Sequence, residues 1–238
     1  MAATATQVDY GLDSAIAVRQ MFSRCGWTLA FALVIFFINR AEYPGPAARL
    51  LLVLGLIAAA FAAAGVLMMR ASRVARFEIR DRILDALELN GEERVLDLGC
   101  GAGLMSIAAA KRLKSGRVTA VDFSGGADKA KENAKLDGVA EKIRVDSSDN
   151  PKLVYPDNHF DVAVSVLALR ELGDSDVRGQ LLRETLRVLK PGGRLAIFDT
   201  LYVSDYAETL RAAGAQNVEL SPMNWYGVTP ARTVTARK

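Results

Sequence analysis

The sequence predicts an α/β fold in which helices cover both faces of a mostly parallel sheet, preceded by a hairpin of two apolar helices. Three observations predict it. Of the 238 residues, 51% are hydrophobic although 24% are charged, and the mean hydropathy is +0.15, which indicates one strongly apolar part and one ordinary part. After about residue 72, strand-like and helix-like segments alternate. A glycine-rich turn joins the first of these strands to the next helix.

The composition excludes several classes of protein. Lys and Arg number 30 and Asp and Glu 27, so the net charge of +3 gives no general argument for nucleic acid as a partner. A structural zinc site needs about four Cys or His ligands, and the chain has only Cys25, Cys100 and His159. The sequence therefore predicts no metal site and no disulfide framework, and it indicates a reducing compartment.

Two apolar runs near the N-terminus predict the hairpin. Leu50–Met69 contains no charged residue, and twenty residues make a helix of about 30 Å, the thickness of a bilayer's hydrocarbon core. Cys25–Ile38 has fourteen residues and spans only about 21 Å, which is short for a span, but the helix reaches further if Met21 and Phe22 are included and the side chains of Arg24 and Arg40 extend to the membrane surface. A signal-peptide core and a re-entrant segment are alternatives for this run. We predict that residues 21–70 form two transmembrane helices joined by a Pro/Gly turn.

Arginines predict the orientation of this hairpin. More of them follow the second run than lie between the runs: Arg70, Arg73, Arg76, Arg80 and Arg82 against Arg40 and Arg49. The positive-inside bias therefore predicts a multi-pass protein of the cell membrane, with residues 1–20 and 71–238 in the cytoplasm. Small residues recur at every fourth position of the second run, at Gly55, Ala59 and Ala63 and at Ala58 and Ala62. They allow close helix packing, either inside the hairpin or in a homodimer.

Segments typical of helices and strands alternate along residues 71–238. A helix is predicted over Arg73–Leu89, ending near Asn90-Gly91. The predicted strands are Arg94–Leu98, Arg117–Asp122, Lys142–Val145, Phe160–Val166 and Arg194–Asp199, and the helices between them are Leu104–Leu113, Ala127–Leu136 and Val177–Leu189. Asn217–Leu220 and Arg232–Ala236 are predicted to close the sheet as a hairpin-like pair of strands.

The strongest local signal lies where the first strand meets its helix. Asp97 ends the strand, and three glycines follow at alternate positions, Gly99, Gly101 and Gly103. Glycines permit a tight turn and let a ligand approach the backbone, with helix N–H groups pointing at it. The dinucleotide-binding pattern G-x-G-x-x-G/A fails because its sixth position is Leu104. A nicotinamide cofactor is therefore disfavoured.

Four motifs follow one another along the predicted sheet. They are DLGCGAG at 97–103, VDFS at 121–124, PDNHFD at 156–161 and RVLKPGGRL at 187–195. In this order and spacing they resemble the class I S-adenosylmethionine (SAM)-dependent methyltransferases, over about residues 73–238. The resemblance implies a Rossmann-like sheet of seven strands with the last strand antiparallel, SAM as the cofactor and methyl transfer as the reaction. It does not extend to the apolar hairpin, and it does not identify the substrate.

The resemblance implies roles for individual residues at the methionine and ribose parts of SAM. The methionine end would be lined by Asp97, Gly99, Gly101 and Gly103. Asp122 ends the second strand, nineteen residues after Gly103. An acid at that position can bind the two hydroxyls of a ribose, so Asp122 would hold the ribose of SAM.

The adenine and sulfonium parts of SAM involve residues at the ends of other strands. By the resemblance, Phe123 would lie against the adenine ring. Asp149 would face the adenine amino group and Asn150 the ring edge, with Asp146 as the competing choice for Asp149. Val166, at the end of the fourth strand, would lie beside the sulfonium.

No histidine is placed to act as a general base. The fourth strand is followed by Leu169–Leu172, where relatives in this family often carry a histidine and this chain has Arg170. Glu171 is the candidate base and Arg170 the candidate group to attract an anionic substrate, and a surface ion pair is the alternative. We also predict that the N-terminal segment Val8–Asp13 folds over the SAM pocket, with Tyr10 near the methyl group.

Together these features predict a membrane-anchored SAM-dependent methyltransferase that acts at the cytoplasmic face. Its acceptor would be small or lipophilic: a thiol, an amine, a hydroxyl or a lipid head group. The absence of an obvious base favours an acceptor that is easily ionised or already nucleophilic. A non-catalytic SAM-binding membrane scaffold is the alternative, and a homodimer through the transmembrane helices stays open.

Overall fold

In a computed structural model of the chain, residues 8–11, 15–148 and 150–238 are described, and they fall into two compact units. The hairpin unit comprises the described residues among 11–76 together with 226–229. The sheet unit comprises those among 8–10, 77–225 and 230–238. The grouping of residues 226–229 with the apolar helices has no counterpart in the sequence pattern.

The hairpin unit is built from two long helices. α1 spans Ala15–Asn39 and α2 spans Pro44–Arg70. Proline is tolerated at the start of α2 because the first helical turn leaves its N–H groups without helix partners anyway. Both helices are long and apolar enough to cross a membrane, judged by length and composition. The short run that begins at Cys25 therefore lies within a helix of 25 residues, about 37 Å long.

Small residues let α1 and α2 approach each other closely. A Cβ atom added to Gly65 would lie 3.0 Å from the ring of Phe22, so the aromatic ring packs directly on the α2 backbone. Ala58 is 1% exposed, whereas Ala59 and Ala63 are exposed. Ala58 is therefore packed inside the hairpin unit, whereas Ala59 and Ala63 are not.

A π-helical segment, Ala71–Ala75, follows α2 and leads into α3, Arg76–Ala86. The predicted helix over Arg73–Leu89 is therefore present as α3 with different ends. The chain leaves α3 through a turn in which Glu88 adopts a φ of +46°.

Eight strands are described, and all their residues except Tyr226 and Thr229 belong to the sheet unit. They are β1 (Arg94–Leu98), β2 (Arg117–Asp122), β3 (Ile143–Ser147), β4 (Phe160–Val166), β5 (Leu189–Asp199), β6 (Gln216–Leu220), β7 (Asn224–Tyr226) and β8 (Thr229–Arg237). Their order is β3-β2-β1-β4-β5-β8-β6, with β7 paired to β8. β1 to β5 are parallel, and β8 is antiparallel to β5 and β6. The predicted seven-stranded sheet with an antiparallel last strand is confirmed, and short β7 is an addition.

Helices cover both faces of this sheet. They are α4 (Leu104–Arg112), α5 (Ala127–Leu136), α6 (Ser175–Val188) and α7 (Val203–Ala212). Neighbouring residues of a strand point to opposite faces. On β2, Val121 joins the core cluster formed with α6 and α7, whereas Ala120 packs with Ala130 of α5. The mostly parallel, doubly covered sheet predicted from the sequence is therefore present.

Helix α7 is not among the predicted elements, although its sequence carries the helical signal. Its buried residues follow the spacing i, i+3, i+4 and i+7: Val203, Tyr206, Ala207 and Leu210. Tyr202 starts this helix with a left-handed φ of +60°, which a sequence pattern does not indicate.

Arg187, the first residue of RVLKPGGRL, contacts the loop in which PDNHFD begins. Its guanidinium donates to the carbonyl oxygens of Leu153 and Tyr155, at 2.8 and 2.9 Å, and to the Asp157 carboxylate at 2.6 Å. These bonds fasten the loop before β4 to the end of α6. His159 of the same loop lies at the amino end of β4, and partial burial lowers its pKa.

Candidate functional site

The carboxyl ends of β1, β2 and β4 meet at one place in the sheet unit. Gly99 follows β1, and a Cβ atom added there would lie 2.1 Å from the Ala168 Cβ and 3.7 Å from the Phe123 ring. Ala168 follows β4 and Phe123 follows β2. The loops after three neighbouring strands therefore close around the glycine turn, which we define as residues 99–103. Ligands of open α/β sheets bind at this edge.

The glycine turn is tight at one end and open in the middle. The backbone N–H groups of Gly99 and Cys100 both donate to the Val121 carbonyl oxygen, at 2.7 and 3.0 Å. Gly99, Gly101 and Gly103 have positive φ angles of 75°, 48° and 87°, which disfavour other residues. A Cβ atom added to Gly101 would meet nothing within 4 Å. This glycine therefore leaves room at the backbone for a ligand.

Gly126 is part of the same arrangement and was not predicted. A Cβ atom at this position would lie 2.7 Å from the Gly101 carbonyl oxygen, so only glycine lets the start of α5 reach the turn. The pair Gly125-Gly126 directly after VDFS was the available signal.

Asp97 places a buried carboxylate beneath the turn. Its side chain is 1% exposed and accepts a hydrogen bond from the Ser106 hydroxyl of α4. Burial raises the pKa of the Asp97 carboxyl to about 6, against the lowering effect of the Ser106 hydrogen bond. Among the described residues no Lys or Arg forms an ion pair with it. A buried carboxylate without a cation is costly in free energy unless a ligand supplies the positive charge.

Asp122 is the second buried carboxylate, at 2% exposure. One of its oxygens accepts from the Ser124 N–H and hydroxyl, both at 3.2 Å, and the other from the Ala127 N–H at 3.0 Å. A carboxylate has about four acceptor positions, so one remains for a ligand hydroxyl. Burial, and then the charges of Asp97 and Asp122, raise the pKa of the Cys100 thiol, which stays protonated. The local potential is therefore negative.

The polar residues expected to bind adenine follow β3 or lie in it, and the contacts described for them do not point to a ligand. Asp149 lies outside the described residues. The exposed Asn150 uses its side-chain oxygen to accept from the Lys152 N–H at 2.9 Å. Asp146 accepts from the Tyr155 hydroxyl at 2.8 Å and from Arg144 at 2.9 Å. Asp146 thus already has two partners within its own strand and loop.

The ends of β4 and β5 form the other side of the site. Val166, half-buried at the end of β4, is in register with Phe198 of β5. Next comes Arg170, whose guanidinium donates to the Thr200 hydroxyl at 2.7 Å and lies 3.9 Å from the Asp199 carboxylate. The Arg170 N–H also donates to Asp199, at 3.1 Å. Asp199 is fully buried, and burial raises the pKa of its carboxyl.

This geometry separates Arg170 from Glu171. Glu171 is exposed, whereas the Arg170 side chain is 16% exposed and has Asp199 as its acidic partner. An ion pair between Arg170 and Glu171 is not found among the described residues, and the acidic partner of Arg170 there is Asp199. Asp199 and Thr200 were not predicted, because only the parallel pairing of β4 with β5 brings them to Arg170.

The structure does not bring Tyr10 to this edge of the sheet. Its hydroxyl donates to the Asp137 carboxylate at 3.3 Å, and its ring packs edge-on against Phe77. Asp137 follows α5, which begins beside the glycine turn and runs back about 15 Å toward the amino ends of the strands. The expectation that Tyr10 lies near a methyl group over the pocket is therefore wrong.

Comparison with known proteins gives a consistent result. Residues 95–193 match the family described as a methyltransferase domain. The chain is 37% identical over 118 residues to the ubiquinone/menaquinone biosynthesis C-methyltransferase UbiE of Azotobacter vinelandii, covering 48% of this chain and 46% of that protein. It is 34% identical over 126 residues to the 27-O-demethylrifamycin SV methyltransferase of Amycolatopsis mediterranei, covering 52% and 45%. The chain thus spans about half the length of these relatives.

Solved structures share the fold. The [4+2]-cyclase SpnF matches with a TM-score of 0.61 and 22% identity, over 70% of this chain and 82% of that one. A SAM-dependent methyltransferase from Aquifex aeolicus matches with a TM-score of 0.55 and 24% identity, over 66% and 88%. At these identities the likeness concerns the fold alone.

The donor groups of SAM suit the residues at this edge. SAM carries two positive charges, on its sulfonium and its ammonium group, and its ribose offers two hydroxyl donors. Asp97 and Asp122 provide buried negative charge and a remaining acceptor position, and Gly101 leaves space at the backbone. Residues 95–193 thus match a methyltransferase domain, the relatives named above are methyltransferases, and the fold is shared with a SAM-dependent methyltransferase, so this part of the chain is similar to an enzyme domain whose cofactor is S-adenosylmethionine.

Proposed function

We propose that the chain is a membrane-anchored SAM-dependent methyltransferase that methylates a small lipophilic acceptor at the cytoplasmic face. In this proposal residues 21–70 span the bilayer and residues 71–238 carry the enzyme. One observation carries it: two helices of spanning length, with large exposed apolar side chains such as Trp27, Leu52 and Leu56, occur in the same chain as a methyltransferase domain. Side chains of this kind are stable in hydrocarbon and costly in water. The arginines after α2 support the cytoplasmic orientation.

The site geometry supports the proposed cofactor contacts at the ends of β1 and β2. Asp122 holds a ribose hydroxyl with its remaining acceptor position, and Phe123 lies against the adenine. The glycines at 99, 101 and 103 let the methionine part reach the backbone, above the charge of Asp97. Asp149 and Asn150 at the adenine edge and Val166 beside the sulfonium remain part of the proposal.

Bound SAM supplies a methyl group on positively charged sulfur, activated for in-line displacement. The task of the protein is therefore to hold the acceptor in line and to exclude water, effects worth up to about 7–11 kcal/mol in well-oriented systems. Arg170 is suited to hold the acceptor because Asp199 and Thr200 fix its guanidinium while its other N–H groups keep no partner among the described residues. They can donate to an oxygen anion of the acceptor. Glu171, which follows Arg170 and is exposed, is the proposed general base, which takes a proton from the substrate that receives the methyl group.

The relatives support an acceptor that is ring-shaped and lipid-soluble. UbiE is named for C-methylation in ubiquinone and menaquinone biosynthesis, and both quinones are lipid-soluble ring compounds. A hydroxylated ring that ionises to a phenolate would present its negative oxygen to Arg170. Ionisation also raises the electron density at the ring carbon that would receive the methyl group.

The test uses the full chain in vesicles with methyl-labelled SAM. We expect label in the organic-soluble fraction when a hydroxylated quinone precursor is supplied in the bilayer, and little label with water-soluble thiols or amines. Asp122→Asn, a matched variant of nearly equal size, is expected to lose most of the transfer. Label found only in water-soluble acceptors would contradict the proposal of a lipophilic substrate. The hairpin would then only attach the enzyme to the membrane.

A second candidate, a non-catalytic SAM-binding scaffold, is favoured by one observation. The fold is shared with the [4+2]-cyclase SpnF, so the fold by itself does not require methyl transfer. The same assay distinguishes the two candidates. SAM binding without formation of S-adenosylhomocysteine over a broad set of acceptors would support the scaffold and contradict the enzyme.

Membrane anchoring has its own test in α2. We expect the double variant Leu52→Arg/Leu56→Arg to leave the vesicle-bound fraction, because an arginine near the centre of a span, where Leu56 lies, costs up to about 2.5–3.5 kcal/mol on insertion, and one nearer the end, at position 52, adds a smaller cost. Both leucines are 64% exposed, so the changes disturb little packing within the hairpin unit. Tyr43→Arg, in the turn between the helices, is the control and should remain bound. Flotation on a density gradient measures the fraction, and equal flotation of all three proteins would exclude insertion of α2.

A further inference from the structure

A buried asparagine joins the N-terminal segment to the glycine turn. Asn133 lies in the middle of α5 and is fully buried. Its side-chain N–H groups donate to the carbonyl oxygens of Asp9 and Ala102, each at 2.9 Å. Its side-chain oxygen accepts from the Asp9 N–H at 3.3 Å. One amide therefore binds both backbone groups of Asp9 and one carbonyl of the turn.

The segment 8–10 has a second attachment at the other end of α5. The Tyr10 hydroxyl donates to Asp137, and Lys111 of α4 forms an ion pair with the same carboxylate at 2.9 Å. A cavity of about 360 Å³ lies beside this attachment, lined by Val8, Tyr10, Phe77 and Ile107 among others. The segment is thus held by the hydrogen bonds to Asn133 and Asp137 and by the packing of the Tyr10 ring on Phe77, and it leaves space next to it.

Because Asn133 bonds to both Asp9 and Ala102, the position of the glycine turn depends on whether the segment 8–10 is docked. Two of its three bonds go to Asp9, so undocking of the segment would leave a buried amide with one bond. A buried polar group without partners is costly, and the amide would turn to find others. Turning would release the Ala102 carbonyl, which lies between Gly101 and Gly103. Both glycines belong to the turn that receives the cofactor.

We propose that Asn133 is a positioning residue that couples docking of the segment 8–10 to the shape of the glycine turn, so that docking strengthens SAM binding. This inference rests on the proposed cofactor site. It places the segment 8–10 against α5, where the segment influences the glycine turn from outside the cofactor site. The segment acts through Asn133 and makes no direct contact with the methyl group.

The test is a double-mutant cycle on the full chain. Asp9→Pro removes the N–H that Asn133 accepts, and Asn133→Asp removes both donors in a side chain of nearly equal size. We expect each change to weaken SAM binding in calorimetry by about five- to tenfold, as for loss of a hydrogen bond to a buried group. The double variant should bind no worse than Asn133→Asp alone, because coupled effects do not add. Asp9→Asn, which keeps both backbone groups, is the matched control and should bind like the unmodified chain.

Hydrogen exchange separates positioning from general destabilisation. Asp9→Pro should speed hydrogen exchange at residues 101–104 more than at the core strands of the sheet unit, whereas a general loss of stability would speed exchange throughout that unit. Unchanged SAM affinity in Asp9→Pro, or additive effects in the double variant, would overturn the coupling even if Asn133→Asp fails to fold. If the unmodified chain does not bind SAM, the proposed function fails instead.

Discussion

Replacing Gly99 with alanine is expected to abolish SAM binding and to destabilise the sheet unit by several kcal/mol. The new Cβ atom would lie 2.1 Å from the Ala168 Cβ, a separation that atoms cannot adopt, so the loops after β1 and β4 must move apart. Overpacking of this kind costs about 1–3 kcal/mol, and the left-handed backbone at φ +75° adds about 1–2 kcal/mol. Thermal unfolding and SAM calorimetry on the same preparation measure both effects.

Two further variants separate the clash from the loss of space for the cofactor. Ala168→Gly in the Gly99→Ala background removes the opposing atom and should recover about 1–3 kcal/mol of stability. Gly101→Ala should lower stability only by the backbone strain, since its Cβ atom meets nothing within 4 Å. It should nevertheless weaken SAM binding by at least about tenfold, because it fills the open part of the turn. Unchanged SAM affinity in Gly101→Ala would show that the cofactor does not approach this backbone.

Replacing Asp97 with asparagine is expected to stabilise the unliganded protein at neutral pH while weakening SAM binding. In the folded protein the Asp97 carboxyl has its pKa raised by burial to about 6, from 3.8. A raised pKa contributes stability below the unfolded value, and this contribution is lost as the pH rises through about 6. Above that pH the ionised carboxylate costs about 3 kcal/mol relative to a neutral group. Asparagine can still accept the Ser106 hydroxyl and carries no charge.

The pH dependence is the most specific measurement of this effect. Between pH 4 and pH 7 the stability of the unmodified protein should fall relative to that of Asp97→Asn. SAM affinity should show the opposite trend: it should strengthen in the unmodified protein as the pH rises through about 6 and stay flat in the variant. Ser106→Ala serves as the control, because it removes the hydroxyl donor without removing the charge, and it should destabilise. Parallel pH curves for the unmodified protein and Asp97→Asn would contradict a charged role for this residue.

Much of the fold could be predicted because its signals are local. The strands β1, β2 and β4 have the predicted bounds, since each is a short apolar run bordered by turn residues. The glycines at 99, 101 and 103 could be assigned to a turn because few other residues tolerate left-handed backbone. Helix α7 was missed although its spacing is regular, because it follows β5 without a capping residue or a motif.

The contacts within the candidate site could not be predicted, because they join residues far apart in the chain. Arg170 meets Asp199 through the pairing of β4 with β5, and Tyr10 meets Asp137 across 127 positions. A one-letter pattern carries no information on such distances, so Tyr10 was expected near the methyl group, whereas its hydroxyl contacts Asp137. Periodicity and backbone sterics act over a few residues, so the order of amino acids is enough to predict the alternating sheet, the glycine turn and the two apolar helices. Which side chains meet at the turn is known only from the folded chain, because those contacts depend on how distant segments pack.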